Sequence, residues 1–179
     1  AGLSIIFGTL KVLNLAHGSI YMVGGFLCYG LTSQMASIPG AFWWTLILAP
    51  VAVALLGGLI EMFLLRRIYA QDMLYQYLLT FGLILILGET CKFIWGVGYN
   101  TVAVPWPVNG KVAIWGLTFP VYNLFLIGCG IAVFIGLLAL MRFTELGRMI
   151  RAVTYNREIA NALGINVPRV YTGVFMLGC

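Results

Sequence analysis

"VLNLAHGSIYMVGGFLCYGLTSQMASIPGAFWWTLILAPVAVALLGGLI", residues 12–60, contains no Lys, Arg, Asp or Glu. A helix crosses the hydrocarbon of a bilayer in roughly 20 residues of this character. The stretch therefore holds more than one crossing, divided at Ser37 and Pro39-Gly40. A second charge-free run, between Lys111 and Arg142, fits another. The whole chain agrees, with 62% apolar residues, 8% charged residues and a mean hydropathy of +1.02, where a soluble domain carries about 25% charged residues. The expected fold is an all-α integral membrane protein, a bundle of several spanning helices.

Whole spans are expected near 19–35, 43–65, 76–95 and 120–141, with partial ones at 1–13 and 170–179. The opening "AGLSIIFGTLKV" reads as the end of a helix and the closing "VYTGVFMLGC" as the start of another. Residues 1–179 are thus expected to be a single membrane domain truncated at both ends, the interior of a longer protein. The opening is Gly-interrupted and lacks the basic start of a signal peptide.

Orientation follows from the cations, because Lys and Arg flanking spans stay on the cytoplasmic side. Arg66 and Arg67 end one span, and Arg142, Arg148, Arg151, Arg157 and Arg169 fill the segment two crossings later. With these inside, Lys11 is also inside, while residues 36–42 and the loop from Gly96 to Phe119 lie outside. That outer loop alternates in polarity and holds Asn109-Gly110, which predicts a short β-hairpin turning there. Its Trp106 and Trp115 suit the membrane interface. The net charge of +5 and pI near 9.2 need no nucleic-acid partner, since the basic residues sit where membrane topology puts them. Cys28, Cys91, Cys129 and Cys179 have no C-x-x-C spacing and signal neither zinc nor a disulfide framework.

After Arg142 the pattern becomes amphipathic. Arg148, Arg151 and Tyr155 share one helical face, with Met149 and Val153 away from it. A second short helix is expected after Asn156 as N-cap, with Glu158 in its first turn, Ile159 and Leu163 as its apolar edge and Gly164 as a left-handed C-cap. The segment 142–169 suits a groove on a partner protein. It equally suits anionic lipid headgroups.

"ELGRMIRAVTYNREIANALGINVPRV", residues 145–170, resembles the cytoplasmic loop of permeases in the branched-chain amino-acid family of ABC importers. Glu158, Ala160 and Gly164 match the broader importer pattern E-A-A-x-x-x-G, and Ile159 departs from its central Ala. "GLSIIFGTLKVLNLAHGSIYMVGGFLCY", residues 2–29, resembles the family's first helix, its Asn-x-Ala-His-Gly break and its second helix, with Asn14, Ala16, His17 and Gly18 in the matching places. The resemblance covers nearly the whole chain and is weakest in the outer loop. It implies a permease bundle with a broken helix near 14–18 and a coupling loop whose contacts to an ATPase run through Gly147, Arg148, Arg151, Arg157, Glu158, Ala160, Leu163 and Gly164. It also implies a second permease subunit, two ATP-binding subunits carrying the ATP-Mg, an extracytoplasmic substrate-binding protein and a bacterial inner-membrane location.

A helix is interrupted in hydrocarbon only where protein or a watered cavity satisfies its freed backbone groups. Breaks in transporters commonly border the substrate route, so Asn14, Ala16, His17 and Gly18 are candidate path residues, though a lone His at a break more often ties loops together. Glu89 and Lys92 are expected to pair at the outer interface, and Glu61 to snorkel with Arg66 and Arg67. Gly128, Ala132 and Gly136 form a small-residue stripe expected at a helix contact, either within this chain or across a permease dimer.

No nucleophile with a matched base and no metal-ligand cluster is spaced for a common face, which argues against an enzyme. Gly110-Lys111-Val112 lacks the earlier Gly and the following Ser or Thr of a phosphate loop, so no cofactor is expected on this chain. A related importer for urea or amides and a stand-alone secondary transporter or channel are the alternative readings.

Overall fold

In hydrocarbon a helix is the one open segment that satisfies its own backbone, and the apolar runs of this chain are helical. The computed structural model describes residues 2–10, 14–35, 38, 40–69, 71–98, 101–102, 108–114 and 117–179. Lys11, Ser37, Pro39, Trp106 and Trp115 lie outside the described residues. The helices are α1 (Gly2–Leu10), α2 (His17–Gln34), α3 (Ala41–Ile60), α4 (Arg66–Ile68), α5 (Met73–Trp95), α6 (Val121–Phe143), α7 (Glu145–Tyr155), α8 (Arg157–Ala162) and α9 (Val167–Gly178). A π-turn, Glu61–Leu65, joins α3 to α4.

Three helices among the described residues are long and apolar enough to cross a membrane: Ala41–Ile68, Met73–Trp95 and Val121–Phe143. The first starts before the expected residue 43 and runs past 65, because the π-turn continues the helix through Arg66 and Arg67 instead of stopping it. It also contains Pro50, which donates no N–H to the preceding turn. α2 is less apolar, carrying Ser19, Thr32, Ser33 and Gln34. It lies against α3 and α5, and Thr32 Oγ1 bonds its own backbone at Cys28 (2.7 Å) and approaches Thr45 Oγ1 of α3 at 3.2 Å.

The hairpin corrects the turn expected from sequence. β1 (Lys111–Ile114) and β2 (Leu117–Pro120) pair antiparallel from Lys111 with Pro120 to Ile114 with Leu117. Both strands therefore follow Asn109-Gly110, and the reversal comes after Ile114. Gly110 instead accepts the Val121 N–H at 2.9 Å, tying the loop to the start of α6.

The core forms around α9, which packs on α1, α3 and α7. Val170, Tyr171, Val174 and Phe175 are buried there with Ile6, Val53, Ile60, Leu65, Ile150 and Val153. Close approach of α3 and α9 depends on Gly57-Gly58. A Cβ at Gly57 would lie 2.5 Å from Cys179 Sγ, and one at Gly58 would lie 2.9 Å from Met176 Cγ.

α6 stands at the rim and buries none of its residues. A Cβ at Gly128 or Gly136 would meet nothing within 4 Å, and Ala132 is exposed. The stripe Gly128, Ala132 and Gly136 is therefore not a helix contact within the described residues. α6 is held near its start, where Phe125 meets Trp43 edge-to-face at 5.6 Å, and near its end by α7, so its middle turns face outward.

Candidate coupling segment and helix break

The polar segment after α6 is a pair of capped helices folded against the end of the bundle. Thr144 leaves helical geometry and its Oγ1 accepts the Gly147 N–H at 3.1 Å, starting α7. Asn156 does the same for α8, its Oδ1 accepting from Glu158 and Ile159 at 2.9 and 3.0 Å. Asn166 caps α9 through the Arg169 N–H at 3.2 Å. Each cap satisfies donors that a helix start leaves free. Gly164, at φ +83°, reverses the chain between α8 and α9 in a conformation other residues adopt only with strain.

The proposed contact residues divide into two groups. Gly147 and Ala160 are buried and shape the segment from inside, together with Ile150, Val153 and Val167. A Cβ on Gly147 would lie 2.6 Å from the Leu140 carbonyl oxygen and closer still to that of Met141, so the α6–α7 bend requires Gly there. Arg148, Arg151, Arg157, Glu158, Leu163 and Gly164 are exposed. Arg148 pairs with Glu145 at 3.4 Å, and the Arg157 guanidinium lies 5.5 Å from the centre of the Tyr171 ring. Arg151 donates to the Met141 carbonyl and lines a cavity of about 620 Å³ with Ser4, Ile5, Thr9, Ile150 and Tyr155. Tyr155 at 92%, Leu163 at 75% and Ile159 at 56% exposure give the segment an apolar outer edge that nothing among the described residues covers.

At the other candidate site α1 ends at Leu10 and α2 begins at His17. Asn14 is buried and its Oδ1 accepts the Ala16 N–H at 3.1 Å, while the His17 N–H donates to the Asn14 carbonyl at 3.3 Å. Ala16 is buried and Gly18 exposed. Asn14 Nδ2 and His17 Nδ1 are buried without a hydrogen-bond partner among the described residues. An unpaired buried polar atom costs about 1–3 kcal/mol, so the break presents two groups that gain free energy from a polar visitor. His17→Ala in the intact transporter is expected to impair uptake several-fold by disturbing this break; wild-type uptake kinetics would remove any functional role for His17.

Glu61 pairs with Arg66 as expected but does not snorkel. Its side chain has 0% exposure, because the wider π-turn sets it against α9 instead of letting it reach the interface. Arg66 Nη2 donates to Glu61 Oε2 at 3.1 Å, Thr172 Oγ1 donates to the same oxygen at 2.7 Å, and the Tyr69 hydroxyl donates to Oε1 at 3.3 Å. Arg67 is exposed and takes no part. Burial first, then the Glu61 carboxylate, push the Tyr69 phenol well above its ordinary range, so it stays a neutral donor. The signal in the sequence was one acid closing a long apolar run, five residues before an arginine. Glu89 and Lys92 do pair, exposed, at 2.7 Å. Among the described residues no group of His, Cys, Asp or Glu is arranged to hold a metal ion.

The family described as "Branched-chain amino acid transport system / permease component" matches residues 1–179. The chain is 24% identical over 188 residues to the high-affinity branched-chain amino acid transport system permease protein LivH of Escherichia coli K12, covering 99% of this chain and 60% of that protein. LivH of Salmonella typhimurium gives the same identity and coverage. BraD, a permease protein of the same kind of system in Pseudomonas aeruginosa, is 20% identical over 185 residues, again across 99% of this chain and 60% of the relative. The chain thus spans about 60% of the length of these curated relatives. No solved structure matches it significantly. Its apolar helices and its relatives make it a multi-pass protein of the bacterial inner membrane. The chain belongs to the branched-chain amino-acid ABC transporter permease family.

Proposed function

We propose that this chain is part of the permease subunit of an ATP-driven importer for branched-chain or related amino acids, contributing part of the substrate path and the surface that couples to the ATPase. The observation that carries this reading is the pair α7–α8. It is rigidly capped, anchored from inside by Gly147, Ile150, Val153 and Ala160, and edged outside by Tyr155, Ile159 and Leu163 beside Arg148 and Arg157. A loop resting on lipid needs no such internal anchoring. A lever must be stiff at its base and adhesive at its tip.

In this reading the segment faces the cytoplasm. Two ATP-binding subunits grip the two α7–α8 segments of a permease pair, and an extracytoplasmic binding protein delivers substrate from the other side. ATP binds on those subunits, not on this chain. It biases the transporter between two states because it binds them unequally. The helix break at Asn14 to Gly18 borders the route, where the unpaired Asn14 Nδ2 and His17 Nδ1 meet the charged ends of a zwitterion. Leucine, isoleucine and valine are the default cargo.

Copurification of the full-length permease with its nucleotide-binding subunits tests the reading. Arg148→Glu reverses a rim charge worth roughly 1 kcal/mol or less, so association is expected to weaken about fivefold. A permease that transports without any nucleotide-binding subunit would instead be a stand-alone carrier.

A further inference from the structure

We propose that Glu61 is a positioning residue, the joint through which the coupling segment moves the membrane bundle. This rests on the coupling role proposed for α7–α8. α8 is short and contacts α7 and α9, and α7 also packs on α9, so one route by which displacement of its tip reaches the bundle is the first turns of α9. Those turns meet the π-turn and α4, which continue α3, at a polar cluster. Arg66 Nη2 donates to the Pro168 carbonyl at 3.2 Å and also to the Thr172 hydroxyl, while the same hydroxyl donates to Glu61 Oε2 at 2.7 Å. Tyr69, which donates to Glu61 Oε1, also packs edge-to-face on Tyr171 with ring centres 5.6 Å apart, and Arg157 of α8 lies over the far partner of that aromatic pair. The path from α8 to α3 thus runs through named contacts: Arg157, Tyr171, Tyr69, Glu61 and the Arg66–Thr172 pair.

Two features separate this joint from ordinary packing. A carboxylate with no solvent exposure is retained in a low-dielectric site only when it is paired and hydrogen-bonded, and such a cluster holds one geometry where apolar contacts would slide. It also sits in a π-turn, Glu61–Leu65, an insertion found mostly as single turns and often at functional positions. Immediately before it, Gly57 and Gly58 bring α3 and α9 close enough for the cluster to form.

The test uses the full-length permease reconstituted with its partner subunits in proteoliposomes, with leucine as the transported probe and ATP hydrolysis measured in parallel. In Thr172→Val, which keeps the side-chain shape and removes the bridging hydroxyl, the assembled complex is expected to take up about tenfold less leucine per ATP hydrolysed. Glu61→Gln is expected to fall at least as far, and the double variant no further than Glu61→Gln. A Thr172→Val complex with wild-type uptake per ATP overturns the proposal, even if less of it assembles, since a purely structural residue changes amount and not the ratio. Where Glu61→Gln fails to accumulate, Thr172→Val decides alone. Loss of the broader reading looks different: the unsubstituted permease would show no association with nucleotide-binding subunits at all.

Discussion

Leu163→Asp is expected to abolish uptake while leaving insertion and folding unchanged. Leu163 is 75% exposed at the end of α8 and is not among the side chains of the core, so the isolated chain loses nothing by the change. In the proposed importer the same side chain would enter an apolar groove on the ATPase. Withdrawing it forfeits roughly 1.5–3 kcal/mol of burial, and desolvating a carboxylate in its place costs more. At 1.4 kcal/mol per factor of ten, association weakens about 100-fold. Binding of the detergent-solubilised full-length permease to its nucleotide-binding subunits measures this. Affinity equal to wild type would show that the edge faces lipid or water.

Gly147→Val is expected to have the largest effect on stability. The carbonyl oxygens of Leu140 and Met141 occupy the space a Cβ would need, and unlike a flexible side-chain tip, helix backbone cannot turn aside. Forcing atoms into a filled site costs about 3 kcal/mol. The α6–α7 bend must open, carrying Ile150 and Val153 out of the core. The variant should accumulate poorly and lose its thermal transition midpoint by several degrees in detergent, and Gly147→Ala should do so more mildly. An unchanged midpoint for the valine variant would mean that the bend is loose.

Much of this arrangement is legible in the sequence because it rests on local chemistry. The cap at Asn156, the positive φ at Gly164 and the pairing of Glu89 with Lys92 each depend on residues within a few positions of one another. What escaped depends on distant partners. The spacing of Gly128, Ala132 and Gly136 marks a surface suited to close packing, but spacing names no partner, and the close helix approach is made at Gly57-Gly58 against α9. The sequence places Glu61 at the span boundary, because its nearest visible partners are Arg66 and Arg67. Thr172, more than a hundred positions away, turns it inward. The hairpin existed where alternation suggested, but Asn109-Gly110 was a stronger local turn signal than the one the strands use.

Pro50 gives α3 a consequence that neither of its ends has. With no N–H at residue 50, the carbonyl one turn earlier goes unbonded and the rod is weakest there. Above that point Thr45 holds it to α2, and below it Gly57, Gly58 and the Glu61 cluster hold it to α9. Under the proposed coupling a pull arriving from α9 would be relieved by flexure near Pro50, so that the lower half tilts while the upper half keeps its grip on α2.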